Sequence, residues 1–152
     1  MRILVDTNVL LRLAQPAHPH HPPAVRATEV LRRKGEELCL VPQVLYEYWA
    51  VCTRPQGENG LGMTTAQATN ELALLKRLFT LFRDERAILP VWEMLVSAHD
   101  VKGRNTHDAR LVAAMSRHNL QHLLTFNTSD FARFPGVTVF TPDSVLQVSG
   151  ES

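Results

Sequence analysis

Ile3-Leu4-Val5 is an apolar run just long enough for one buried strand, and it breaks at once into Asp6-Thr7-Asn8 before apolar residues resume at Val9, Leu10, Leu11 and Leu13. A short, unbroken apolar run marks a parallel strand covered on both faces, whereas the residues that follow recur at helical steps. The chain therefore opens as strand, polar tip and helix. A strand hidden on both faces commits the rest of the sequence to supplying helices for two sides of a sheet.

The remainder repeats that alternation. Gln15 to Pro23, crowded with prolines and histidines, reads as a loop that no helix crosses. A helix is predicted over Ala24 to Lys34 with Gly35 as its stop, then a strand over Leu38 to Val41, then a helix whose first turn takes Pro42. Pro55 with Gly57, Gly60 and Gly62 predicts a mobile loop. Ala68, Leu72, Leu75, Leu78, Phe79 and Phe82 recur at three- and four-residue steps, predicting a long helix capped by Thr64 or Thr65. Ile88 to Val91 reads as a third strand, Trp92 to Val101 as a helix ending near Gly103, and Thr106 as the cap of the next helix. Leu123 to Phe126 and Val137 to Phe140 supply strands four and five. The expected fold is α/β, a three-layer α/β/α sandwich around a central, mainly parallel sheet of four to five strands. With 152 residues and no repeat or linker, one domain over 1–152 is expected.

Composition narrows the function classes only a little. Hydrophobic residues make up 45% and charged residues 20%, an ordinary globular balance that excludes wholesale disorder. The formal net charge of +1 argues neither for nor against a nucleic-acid partner. Cys39 and Cys52 lack any paired metal spacing and read as reduced, buried thiols. The opening apolar run is too short for a signal peptide or a membrane span, so a cytoplasmic protein with no membrane contact is expected.

Chemistry concentrates in carboxylates. In open α/β sheets ligands bind beyond the carboxyl ends of the strands, where Asp6 stands and where Thr125, Asn127 and Asp130 follow strand four. Asp108 falls in the first turn of a helix, and Glu47 lies one turn into the helix after strand two. Each has an ordinary explanation alone: Asp108 favours a helix dipole, Asp130 can cap Phe131 to Phe134, and Glu47 can be a solvated charge. Asp6, however, is flanked by apolar strand and apolar helix, and Glu47 sits among Leu45, Tyr46, Tyr48 and Trp49. Charges in such settings need a partner or a metal. Carboxylates without histidine or cysteine suit a hard cation, magnesium or manganese, better than zinc.

In their order along the chain, Ile3-Leu4-Val5-Asp6-Thr7-Asn8-Val9-Leu10, Val44-Leu45-Tyr46-Glu47, Thr106-His107-Asp108-Ala109 and Leu124 to Phe131 resemble the motifs of PIN-domain ribonucleases, especially the VapC toxins of bacterial toxin–antitoxin pairs. The resemblance covers essentially the whole chain. It implies a PIN-like fold and a Mg2+-dependent endoribonuclease (Mn2+ serving as well), with Asp6, Glu47, Asp108 and Asp130 as the catalytic acids and Asp6 and Asp108 as direct metal ligands. It also implies an RNA substrate, a homodimer and a cognate antitoxin whose tail enters the acidic groove. Many family members carry aspartate two residues after the strand-four threonine; Asn127 stands there, leaving the fourth acidic position open between Asn127 and Asp130. One tightly held ion is therefore expected, with a second arriving alongside the substrate phosphate.

Around those acids, Thr7, Asn8 and Thr125 can position water or phosphate, and Arg104, His107, Arg110 and Arg12 are the candidate RNA-holding groups. His18, His20 and His21 read as an exposed loop rather than a zinc site, and Tyr46, Tyr48, Trp49 and Trp92 as core or dimer contacts. Two alternatives stand beside the nuclease. A catalytically weak PIN module would bind RNA or a partner protein. A haloacid-dehalogenase-like phosphatase would also place an aspartate after its first strand, but it wants a second acid where this chain has Asn8. A nucleotide switch is disfavoured because neither a Walker loop nor GxGxxG is present.

Overall fold

The opening residues do become the centre of a sheet. In a computed structural model that describes residues 1–150, β1 (Arg2–Val5) is flanked by β2 (Glu37–Leu40) and β4 (His122–Leu124), and Leu4 lies opposite Cys39 on one side and Leu123 on the other. β3 (Thr80–Leu81) and β5 (Thr138–Phe140) complete a five-stranded, all-parallel sheet in the order β3-β2-β1-β4-β5. Ile3, Leu4, Val5, Cys39, Leu40, Leu123 and Leu124 are wholly buried, as strands covered on both faces must be.

The helices are α1 (Thr7–Leu13), α2 (His21–Arg33), α3 (Pro42–Thr53), α4 (Thr65–Leu78), α5 (Ile88–Ala98), α6 (Asn105–Arg117) and α7 (Pro142–Ser149). α1 packs on α2 and α3, α3 on α4, and α2 on α7, while α5 and α6 pair with each other. The connections run from β1 outward to β3 and then return across the sheet to β4. Right-handed crossovers put helices from these two directions on opposite faces and leave a switch point between β1 and β4.

The fold differs from the sequence reading in several places. The prolines expected to exclude a helix start one: α2 begins at His21, and Pro22 and Pro23 sit in its first turn, where a missing N–H removes no helical bond. Ile88 to Val91 is the first turn of α5, not a strand. The third strand is Thr80–Leu81, solvent-exposed on both residues, and α4 ends at Leu78 because Phe79 is already extended (φ −126, ψ 155). Thr106 lies inside α6 with its hydroxyl donating to Gly103 O (2.7 Å), and Arg104 takes the cap position. Asp130 lies within a short 3-10 turn, Thr128–Phe131, instead of capping a helix. Thr64 does cap α4, in a reciprocal box with Gln67. α7 begins on an equivalent signal, with Thr141 and Ser144 exchanging bonds around Pro142. Both cysteines are free and buried.

The loop expected to be mobile is stitched to α3. Leu61 N donates to Val51 O (3.0 Å) and Met63 N to Cys52 O (2.8 Å) of α3, while Gly62 N donates to Arg54 O (2.9 Å) at its end and Gly60 N to Pro55 O (3.0 Å) within the loop. A Cβ at Gly60 would lie 1.9 Å from Arg54 O, so only glycine fits there. Gly60→Ala should therefore destabilise the protein by about 1–3 kcal/mol, the usual penalty of overpacking. A lowered urea midpoint checks this, and an unchanged midpoint would show that the loop does not seat on α3 as described.

Candidate functional site

Asp6 is placed by the end of β1. Its backbone N–H still donates to Leu124 O (3.0 Å), continuing the ladder, while its extended φ and ψ (−73, 156) put it at the N-cap of α1. Oδ1 accepts from Thr7 N (2.8 Å); Oδ2 accepts from the Thr125 hydroxyl (2.8 Å) and from Asn8 Nδ2 (3.2 Å). Thr125, fully buried beyond β4, also accepts from Asn8 Nδ2 (2.9 Å) and from Asn127 N (3.1 Å). Asn8 Oδ1 accepts from Phe126 N (3.0 Å). Asp6, Asn8 and Thr125 thus form one closed cluster across the switch point. Thr125 has no hydroxyl capacity left for substrate, and the Thr7 hydroxyl is buried without a partner.

The other acids surround this cluster. A cleft of about 350 Å³ is lined by Glu47 from α3, Arg104, Asn105, His107 and Asp108 from the start of α6, and Asn127 and Asp130 beyond β4. Gln43, which the sequence reading passed over, holds the two walls together: Nε2 donates to His107 O (2.8 Å) and Oε1 accepts from Arg110 (3.1 Å). Its signal was available, since a polar residue one helical turn before Glu47 and just past a buried strand faces the same mouth.

The acids act on one another through their charges. Burial, then the charge of Asp130, raises the Asp6 carboxyl above its ordinary value, against the bonds from Thr125, Thr7 and Asn8. Partial enclosure, then the charges of Asp6 and Asp108, raises Glu47, opposed by Gln43 and His107. Asp108 is pushed up to about 6 by burial and by Asp130 and Asp6, with relief from His107 and Arg133. Glu47, Asp108 and Asp130 thus share the cleft, and Asp6, from the neighbouring cluster, is coupled to each of them by charge.

Among the described residues no three His, Cys, Asp or Glu side chains gather closely enough to cage an ion by themselves. Mg2+ needs no such cage, because it keeps several waters and takes one or two carboxylates. An all-oxygen donor set with uncompensated negative charge fits a hard divalent cation and fits zinc poorly.

Of the expected RNA-holding groups, Arg104 and His107 line the cleft, whereas Arg12 is turned to Gln15 (2.7 Å) and Arg110 is engaged by Gln43 and Asp84. His20 stacks on Phe126 (centroids 4.7 Å apart, 14°), and His21 Nδ1 contacts Arg12 O (2.8 Å) at the start of α2. Tyr48 is buried, Tyr46 exposed, and Trp92 donates its indole N–H to Thr106 O (2.8 Å). No described helix is long and apolar enough to cross a membrane.

Residues 3–137 match the family model of the PIN domain. No curated protein matches the chain in sequence. Among solved structures, VapBC2 from Rickettsia felis, bound to a DNA fragment from its promoter, superposes with a TM-score of 0.71 at 14% identity, covering 93% of this chain and 98% of that one. VapC20 from Mycobacterium tuberculosis, a sarcin-ricin loop cleaving toxin, gives 0.63 at 21% identity, with 87% and 95% covered. A toxin–antitoxin complex from Klebsiella pneumoniae gives 0.59 at 24% identity, with 92% and 97% covered.

The raised acids fix the sign of a pH effect. A carboxyl with a higher value folded than unfolded binds more protons in the folded state, so stability falls as pH rises from about 4, the unfolded value, through the folded one. For Asp108 the folded value is about 6. In chelator, Asp6→Asn should therefore gain stability relative to the parent as pH rises over that window, and added Mg2+ should shrink the gain. Urea midpoints across the pH series test this; a difference independent of pH would mean that the scaffold already neutralises Asp6.

Proposed function

This chain belongs to the PIN domain family, and we propose that within it the protein is a divalent-metal-dependent endoribonuclease of the VapC-toxin kind. The observation that carries the reading is the placing of Glu47, Asp108 and Asp130 in one cleft at the carboxyl mouth of the parallel sheet, beside an Asp6 whose charge acts on Glu47 and Asp108 and is acted on by that of Asp130. The chain acts as a single PIN-like domain. Family membership sets the phosphatase alternative aside.

In this reading Asp6 and Asp108 hold Mg2+ or Mn2+, and Glu47 and Asp130 complete its surroundings or orient water. A divalent cation bound there lowers the pKa of water and stabilises the charge that develops on a phosphodiester. The chain's own contribution is positional. Thr125 and Asn8 fix the Asp6 carboxylate in one orientation, and Gln43 sets α3 against α6 so that Glu47 faces Asp108. Arg104 stands at the cleft with no ion pair among the described residues, free to take a phosphate, and His107 adds a donor beside Asp108. No protein nucleophile is needed.

The toxin assignment draws on the structural neighbours, which include toxin–antitoxin complexes and a sarcin-ricin loop cleaving toxin. It carries with it a cytoplasmic location, a cognate antitoxin that closes the acidic groove, and a homodimer. A second reading, an RNA- or protein-binding module with weak catalysis, draws on Asn127, whose amide stands in the cleft where a carboxylate would complete the acidic set.

Purified protein freed of any inhibitor should cleave RNA from its host in Mg2+ or Mn2+ and not in chelator. Asp6→Asn should lower the rate by at least about a hundredfold, the scale of losing a main stabiliser of transition-state charge. Cleavage that survives Asp6→Asn would remove the site from the mechanism. No cleavage of any RNA, with no metal heat in calorimetry, would favour the binding module.

A further inference from the structure

A cluster of acids repels the backbone it must cut, so an RNA strand needs a grip beyond the one Arg104 and His107 offer inside the carboxylate cleft. A second cavity, of about 500 Å³, adjoins that cleft, because His107 lines both. Its size falls within the range of about 300–1,000 Å³ usual for small-molecule pockets. Ile88, Leu89 and Trp92 of α5 give it an apolar wall, and Leu89 is 60% exposed. The Trp92 indole N–H is spent on Thr106 O (2.8 Å), which pins the ring against the start of α6 and leaves its apolar surface as what it offers.

Two cations border this wall. Arg110 is steadied by Gln43 (3.1 Å) and Asp84 (3.4 Å), while Arg86 is exposed and has no ion pair among the described residues. Glu85, at the same rim, is already answered by Arg117. A fixed aromatic ring in a pocket that two arginines also line, next to the carboxylate cleft, has the chemistry of a site for one splayed nucleotide of a single strand. We propose that this pocket receives the unstacked base of a nucleotide flanking the phosphate at the carboxylates, with the base against Trp92 and its phosphate against Arg86. The inference rests on the ribonuclease reading.

Binding is measured without cleavage, with the Asp6→Asn protein in chelator, by anisotropy of a labelled short single-stranded RNA and of a matching strand lacking bases. The base-bearing strand should bind about tenfold tighter or more, the scale of one base stacked on an aromatic ring. Trp92→Leu should erase most of that difference and Trp92→Phe should keep it. Leu89→Glu, at an exposed position that leaves the core intact, should erase it too. Arg86→Glu should weaken both strands and lessen the salt dependence by about one unit of slope, as losing a phosphate contact does.

Equal binding of both strands by the parent, or a base preference untouched by Trp92→Leu and Leu89→Glu, overturns the proposal. So does a loss of self-association in these variants, read by sedimentation, with the base preference intact; the wall would then be covered by a second copy. In active protein with metal, Trp92→Leu should raise KM and spare kcat. Cleavage with an unchanged KM rejects the pocket and leaves the nuclease standing. Trp92-dependent base binding by a parent that cuts no RNA keeps the pocket and rejects the nuclease.

Discussion

An acidic group at the end of a buried strand survives only if its neighbours supply what water no longer does. At Asp6 those neighbours are Thr7 N, the Thr125 hydroxyl and the Asn8 amide. The same three bonds do two structural jobs. They start α1, and they lock the end of β4 beside the end of β1, which is where the sheet changes direction. Pulling the acid out of this cluster would loosen both the helix start and the strand pairing. Chemistry and architecture therefore meet in one set of atoms.

The bonds do not satisfy Asp6 completely, because burial and the charge of Asp130 outweigh them and keep its carboxyl raised. Glu47 and Asp108 are raised for the same two kinds of reason. A scaffold that holds carboxylates together against their mutual repulsion stores a preference for positive charge, which a divalent cation or an arginine from a partner could relieve. Gln43 matters for that preference, since it fixes the distance between α3 and α6 without adding charge.

Much of this was legible in the sequence, and what was not has physical causes. β1, β2 and β4 were marked by apolar runs that burial on both faces requires, β5 by apolar residues that end only half-buried, and the four acids stood out because each followed such a strand or lay early in the next helix. β3 was invisible because Thr80 and Leu81 are both exposed: its only strand character is the ladder to Cys39 and Leu40, which leaves no hydrophobic signature. Ile88 to Val91 was misread because a short apolar run serves a helix as well as a strand. Pro22 and Pro23 were read as breakers when their position made them starters. Gln43 was missed because its role lies between elements. The closeness of four carboxylates from separate segments was expected only through the order of the strands, and geometry had to supply it.

The brevity of β3 has a consequence for how the molecule keeps company. An open parallel sheet ends in a row of unpaired backbone groups that invites another chain to add a strand. Here that margin is two residues long, exposed, and followed at once by Phe82, whose own N–H turns inward to Leu40 O (2.9 Å). A foreign strand would find too few rungs to climb. At the β3 margin the sheet is thus closed by truncation, and molecules meeting there have little to hold.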